Sequence, residues 1–292
     1  MDNSDLAKRM KGYYEQVSTT RLMRRTPVII RIDGKAFHTF TRGFQKPFDE
    51  VLIQTMHDTT QYLCENVQGC VLGYTQSDEI SLVLVDYQRF ETSAWFDYEI
   101  QKMCSIASSM ATMSFNKFFE KNVEEFLNEH GYPKTDCVKY ADLISVYLNA
   151  VNKGAMFDAR VFNIPKEEVT NCIYWRQLDA SRNSVQMVGQ ANFSHKELQN
   201  KSCNDIQDML MLQKNINWND FPTYQKRGTC VIKEEYLTRT NGDGTVFEIS
   251  ADDVGTGIDD VTVRTRWIID KDIPIFKGEG REYIEKLVMV GE

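Results

Sequence analysis

The stretch Val28-Ile29-Ile30-Arg31-Ile32-Asp33-Gly34 decides how this chain folds. It is short, rich in β-branched apolar residues and closed by an Asp-Gly turn, the pattern of a buried strand with an acid at its C-terminal tip. A second such run, Ile80-Ser81-Leu82-Val83-Leu84-Val85, is opened by Asp78-Glu79. Carboxylates at the tips of adjacent central strands can hold a pair of Mg²⁺ ions against the phosphates of a nucleotide, the core of a nucleotidyl-transfer site. Whether the two tips meet depends on the order of the elements around them.

Upstream, residues 4–17 read as a short helix, followed by a basic connection over 18–26 and the first strand at about 27–33. Residues 35–40 form a turn or short helix, and Pro47 closes that region. From Asp49 to Asn66, Val51, Leu52, Thr55, Met56, Thr59, Tyr62 and Leu63 recur at steps of three and four, predicting an amphipathic helix. Strands follow at 70–75 and 78–85, a long helix at 95–119, and a fourth strand at 156–163. The order β-α-β-β-α-β is that of an α+β, ferredoxin-like fold, the palm arrangement of many polymerases. Its first and third strands are central antiparallel neighbours, so Asp33 and Asp78 are expected side by side. Residues 1–165 are read as this palm. Residues 166–292 add helices at 166–193 and 200–214 and a turn-rich, partly strand-like tail marked by Gly242, Gly244, Gly255 and Gly257. They form a helical and C-terminal layer on the palm, within one structural unit.

A chain of 292 residues with 42% apolar and 11% aromatic content buries a sizeable core. No stretch approaches the roughly 20 apolar residues of a membrane span. The acidic start Met1-Asp2-Asn3-Ser4-Asp5 lacks the order of a secretion signal, and seven cysteines without a CxxC pair read as reduced thiols of a cytoplasmic protein. The net charge of −8 argues against non-specific coating of nucleic acid. Local basic patches remain, notably Lys8, Arg9, Lys11, Arg21, Arg24, Arg25 and Arg31, which suit either a solvated face or a phosphate-binding track.

Two neighbouring acids raise each other's pKa unless a cation compensates them. Asp33, Asp78 and the peptide oxygen of Gly34 suffice for Mg²⁺, which completes its shell with water and phosphate oxygens. Glu79 supports them from behind. Lys46 offers a point charge for a triphosphate, His38 a donor to the same group, and Ser77 a hydroxyl beside Asp78. Alone, Lys46 reads as a solvated side chain and His38 as a satisfied histidine. Asp158 and Arg160 share a strand face by alternation and read as a salt bridge or a binding pair. Arg176, Asp179 and Asn183 share a helix face, either a solvated stripe or an interaction surface.

These motifs resemble the tRNA-His guanylyltransferase superfamily. The likeness rests on Arg31-Ile32-Asp33-Gly34-Lys35-Ala36-Phe37-His38 with Lys46-Pro47, on Gln76-Ser77-Asp78-Glu79 and on Phe157-Asp158-Ala159-Arg160-Val161-Phe162. It continues through Trp175-Arg176-Gln177, Trp218-Asn219-Asp220, Gln225-Lys226-Arg227-Gly228 and Trp267-Ile268-Ile269-Asp270 to Pro274-Ile275-Phe276. The resemblance implies a palm enzyme, a homotetramer, that adds nucleotides to the 5′ end of tRNA in the 3′–5′ direction. ATP and GTP are its substrates, and the 5′ end is activated before the 3′-hydroxyl of an incoming nucleotide attacks it. It carries over two Mg²⁺ on Asp33, Gly34 and Asp78, with Asp33, Asp78 and Glu79 as the catalytic acids. Nucleotide contacts would run through Asp33, Gly34, Lys35, Ala36, Phe37, His38, Lys46, Ser77 and Asp78. Arg24, Arg25, Arg160, Arg176, Arg182 and Asn183 are the candidates to hold RNA.

One departure matters. Members dedicated to tRNA-His carry His-Ile-Asn-Asn-Leu-Tyr-Asn where this chain has Ser181-Arg182-Asn183-Ser184-Val185-Gln186-Met187. That resembles the guanylyltransferase-like branch, which repairs 5′-truncated tRNAs against the opposite strand as template. The alternatives are a dedicated tRNA-His enzyme, a palm-fold nucleotide cyclase and a non-catalytic RNA-binding module.

Overall fold

The computed structural model describes residues 4–131, 137–240, 245–250 and 261–291. The glycines at 242, 244, 255 and 257, on which the turn-rich reading of the tail rested, lie outside the described residues. Strands β1 (Val28–Gly34), β2 (Cys70–Gln76), β3 (Glu79–Leu84) and β4 (Phe157–Asn163) stand in the order β4-β1-β3-β2, all antiparallel. This is the strand order that the sequence implied. The tail continues the same sheet: β5 (Thr229–Thr240) pairs with β2, and β6 (Val246–Ile249) and β7 (Val261–Asp270) pair with β5.

Helices α1 (Asp5–Met10) and α2 (Phe37–Phe40) are short. Helices α3 (Glu50–Asn66), α4 (Ile100–His130) and α5 (Cys137–Lys153) lie on one side of the chain's palm, and α6 (Lys166–Asn192) lies on the other. The remaining helices, α7 (His195–Leu198), α8 (Cys203–Lys214), α9 (Thr223–Arg227) and α10 (Glu282–Val288), belong to the second half. The N-terminal segment stays α-helical only to Met10 before changing to a looser turn, and none of its helical residues is buried. The long helix runs to His130 rather than 119, because Val123, Phe126 and Leu127 keep its apolar stripe going. Helix α5 was not foreseen.

Alternation along β1 and β3 divides the core. Ile30, Ile32, Ile80, Leu82 and Leu84 pack against α3 and α4, with Phe115 and Phe119 among their neighbours. Ile29 and Val83 face the other way, onto Val169 and Ile173 of α6 and Ile284 and Val288 of α10. These central strands are buried on both faces, which is why they read as unbroken apolar runs. Each fully buried Ile or Leu contributes roughly 1.5–3 kcal/mol. A third cluster joins Val185 and Val188 of α6 to Ile206 and Leu210 of α8.

Candidate active site

The pairing register brings the two tips together. Asp33, the last residue but one of β1, stands opposite Glu79, the first of β3, and opposite Asp158 on β4. Asp78 occupies the two-residue turn between β2 and β3, whose other residue, Ser77, has φ +51°. The Gly34 N–H donates to the Asp78 carbonyl at 3.1 Å, and the Lys35 N–H donates to the Met156 carbonyl at 2.8 Å. The chain is thus clamped between both neighbouring strands where it leaves the sheet.

The carboxylates feel each other. Burial first, and then the Asp33 charge, push the Asp78 carboxyl up to about 6. Burial and the facing Asp158 raise Asp33 as well, although Arg160 and Arg31 offset part of this. The Ser77 hydroxyl donates to Asp78 Oδ1 at 3.1 Å. Among the described residues no group of three or more His, Cys, Asp or Glu side chains forms a closed metal cage. Two mutually repelling carboxylates and a backbone carbonyl instead suit a hard divalent cation that keeps water and phosphate oxygens in its shell.

Beside Asp78 opens a pocket of about 480 Å³, within the usual range for small-molecule sites. Gly34, Ala36, Phe37, His38, Lys46, Ser77 and Asp78 all line it. Asp33 and Lys35 do not. Ala36 adopts the left-handed conformation (φ +53°), turning the chain sharply after the strand. A side chain at Gly34 would run into the Phe37 ring, with a Cβ only 2.2 Å from it, so this position is confined to glycine. Phe37 itself is a core residue, packed on Phe40, Phe115 and Phe157. Whatever it offers a nucleotide comes from its backbone and ring edge.

Sequence reasoning missed Asp49, Gln45, Met187 and Gln190, which also line the pocket. Asp49 is buried. It caps α3 through the Leu52 N–H (2.9 Å), accepts from the Gln45 N–H (2.9 Å) and accepts from the Tyr147 hydroxyl of α5 (2.7 Å). It thereby holds the loop carrying Lys46. An acid just before an amphipathic helix is a readable N-cap signal, but its tie to Tyr147 is not.

The second-half motifs are largely internal. Arg176 is buried and bidentate to Glu79, with both contacts at 2.6 Å, and it also donates to Asp179 at 2.9 Å. The expectation of Arg176 as an RNA-facing residue is therefore corrected: α6 packs on the sheet through this face, and the guanidinium neutralises Glu79. Gln177 donates to the Pro274 carbonyl (2.8 Å) and accepts from the Phe276 N–H (3.0 Å), fastening the C-terminal segment. Arg24 donates to Asp86 (2.8 Å) and Asp97 (3.2 Å), so its charge is engaged away from the strand tips. Asn183 is half-buried and donates to Asp179. Arg25 is exposed, as are Arg160, bonded to Asp158 at 3.3 Å, and Arg182, paired with Asp179.

A ferredoxin-like palm with paired acids at its central strand tips and a nucleotide-sized pocket beside them defines a nucleotidyltransferase. Comparison with known proteins makes this specific. The sequence profile described as Thg1, tRNAHis guanylyltransferase, matches residues 7–165. The tRNA(His) guanylyltransferase of Saccharomyces cerevisiae is 24% identical over 79% of this chain and 92% of its own length. An uncharacterized protein of Acanthamoeba polyphaga mimivirus is 29% identical over 85% and 83%. Among solved structures, a bacterial tRNA(His) guanylyltransferase (Thg1)-like protein in complex with ATP superposes with a TM-score of 0.72 and 39% identity, covering 97% of this chain and 99% of that one. A bacterial Thg1-like protein in complex with GTP gives 0.70 and 35%, covering 98% and 100%. The chain belongs to the tRNA-His guanylyltransferase family.

Proposed function

We propose that this protein is a Mg²⁺-dependent 3′–5′ polymerase that repairs 5′-truncated tRNAs, reading the opposite strand as template. The observation that carries the reading is the joining of Asp33 and Asp78 at the Gly34–Asp78 backbone bond, at the mouth of the 480 Å³ pocket. Asp33, Asp78 and the Gly34 carbonyl would hold two Mg²⁺ ions. Bound there, the ions supply Lewis-acid stabilisation of charge developing on the phosphates. Lys46 and His38, both exposed on the pocket wall, bind and orient the triphosphate of ATP or GTP. The Asp49 cap fixes the Lys46 loop, so the point charge is preorganised. The 3′-hydroxyl of the incoming nucleotide attacks the activated 5′ phosphorus, and the activating group leaves.

The choice of repair over tRNA-His guanylylation rests on Ser181–Met187, where the histidine of the dedicated motif is absent. Its Arg182 and Asn183 are occupied with Asp179. Incubation with Mg²⁺, ATP, GTP and a tRNA lacking its first nucleotide should give templated extension. No extension, with full activity on intact tRNA-His, would replace this reading by the dedicated one. A cyclic product formed from nucleoside triphosphate alone would point to a cyclase.

A cytoplasmic homotetramer that binds tRNA across subunits completes the proposal. Its support is the N-terminal segment, where Leu6, Met10, Tyr13 and Val17 recur at helical spacing and stand exposed, a stripe suited to a second copy. Light scattering on the eluting protein should report a tetramer; a monomeric mass would remove that part alone.

A further inference from the structure

The sheet face on which α6 lies carries, behind the strand tips, an arrangement that the nucleotide pocket does not use. Residues opposite one another on neighbouring antiparallel strands share a face. The tip row across β4, β1 and β3 is therefore Asp158–Asp33–Glu79, and the row behind it is Arg160–Arg31–Ser81. Arg31 and Arg160 are like charges directly opposite each other, a pairing unfavourable by itself that the Asp33 carboxylate of the tip row offsets only in part. Arg160 reaches Asp158, but Arg31 has no carboxylate within ion-pair distance among the described residues.

Arg31 lies instead against Trp175 of α6, its guanidinium carbon 5.3 Å from the ring centroid, and Arg176 stacks on the same ring at 4.6 Å. Trp175 is nonetheless 53% exposed. The indole is thus flanked by two guanidiniums while much of its surface stays open to water. It has the composition of a base-stacking platform: an aromatic ring for the base and cations for the phosphate beside it.

We propose that Arg160, Arg31 and Trp175 form a ledge that receives the 5′-terminal nucleotide of the RNA, with its base on Trp175 and its phosphate toward Arg31 and Arg160. The inference rests on the proposed nucleotidyl transfer to RNA and deepens it. Asp78 lines the nucleotide pocket, whereas Asp33 lies in the row beside the ledge. The two carboxylates then stand between the two reactants, the triphosphate on one side and the RNA end on the other. The net charge of −8 is no obstacle, because the ledge is a local cationic patch. Trp175 acts here as a positioning residue.

Steady-state kinetics with a 5′-truncated tRNA and GTP, together with equilibrium binding of the same tRNA by fluorescence anisotropy, test the assignment. Trp175→Ala should raise the RNA KM and Kd about tenfold, from the loss of one base stack, and leave the GTP KM unchanged. Trp175→Phe should restore most of the affinity. Arg31→Gln should reduce the slope of log Kd against log salt by about one. A rise in the GTP KM with Trp175→Ala would place the nucleotide's base on this ring and overturn the ledge. An unchanged RNA Kd in Trp175→Ala would overturn it too, as would loss in Trp175→Phe equal to that in Trp175→Ala, which marks a packing role. Should the wild-type protein extend no tRNA at all, the polymerase reading fails, and the binding arm still decides the ledge.

Discussion

The inner strands β1, β2 and β3 and the outer strands β6 and β7 belong to one antiparallel sheet, yet they live in different surroundings. β2 and β3 are buried along almost their whole length, with α3 and α4 on one face and α6 and α10 on the other. β6 is largely exposed, and β7 is exposed over residues 262–266 and half-buried elsewhere, with Trp267 and Ile269 reaching the core. Arg266 makes surface ion pairs with Glu234 (2.8 Å) and Glu248 (2.9 Å). The comparison teaches that the site sits where the backbone is held from both sides. Carboxylates at the tips of doubly covered strands keep their positions despite mutual repulsion, and pockets need that rigidity to bind phosphates without reorganising.

The largest break in this contrast should come from the tips. Asp33→Asn or Asp78→Asn should lower the nucleotidyl-transfer rate by several orders of magnitude, measured as product per turnover. The same Asp78→Asn protein should be more thermally stable than wild type in the absence of metal above pH 6. Native Asp78, raised to about 6, binds its proton more tightly than the unfolded chain does. Wild-type stability therefore falls as pH rises from about 4 to about 6, and the penalty persists above that window. The advantage of the variant should vanish near pH 4; an advantage independent of pH would refute the charge argument.

In the buried strands, Leu82→Ala should cost about 2–5 kcal/mol in denaturant unfolding, since the side chain is fully enclosed. Val263→Ala, 58% exposed on β7, should change stability by less than about 0.5 kcal/mol. Equal costs would erase the distinction between the two regions. Between these extremes lies Glu79→Gln, which leaves the buried Arg176 with Asp179 as its remaining charged partner. It should cost about 1–3 kcal/mol in stability and reduce the rate far less than loss of Asp78.

The smallest effect concerns His57, buried behind the site with Nε2 2.9 Å from the Thr229 hydroxyl and Nδ1 without a partner among the described residues. Burial, and then Lys271, depress it to about 4. Native His57 is neutral where the unfolded chain already takes up a proton, so its share of stability is lost as pH falls from about 6.5 through about 4. His57→Asn should flatten the melting-temperature profile over that window.

Much of the palm was legible because burial on both faces leaves a plain imprint: short β-branched runs broken by Asp-Gly and Ser-Asp turns. Helix α5 was missed although Leu143, Val146, Tyr147, Ala150 and Val151 recur at helical spacing. What its sequence does not carry is its docking through Tyr147 onto Asp49 and Phe44, about a hundred positions away in the chain. In the pocket, Gly34, Ala36, His38, Lys46, Ser77 and Asp78 were found from their motifs, and Met187 and Gln190 were not. Those two enter from α6, whose orientation on the sheet no local period encodes.

The sequence by itself determined the strand tips and the acids on them, because strand periodicity and turn chemistry act over a few residues. Tertiary structure alone decided which way the charges on α6 face. It turned Arg176 inward onto Glu79 and left Trp175 outward beside Arg31, although the two residues are adjacent in the chain. The physical reason is that a helix fixes only the angle between successive side chains. Which of them meets an acid and which meets water depends on how the helix packs against strands distant in sequence.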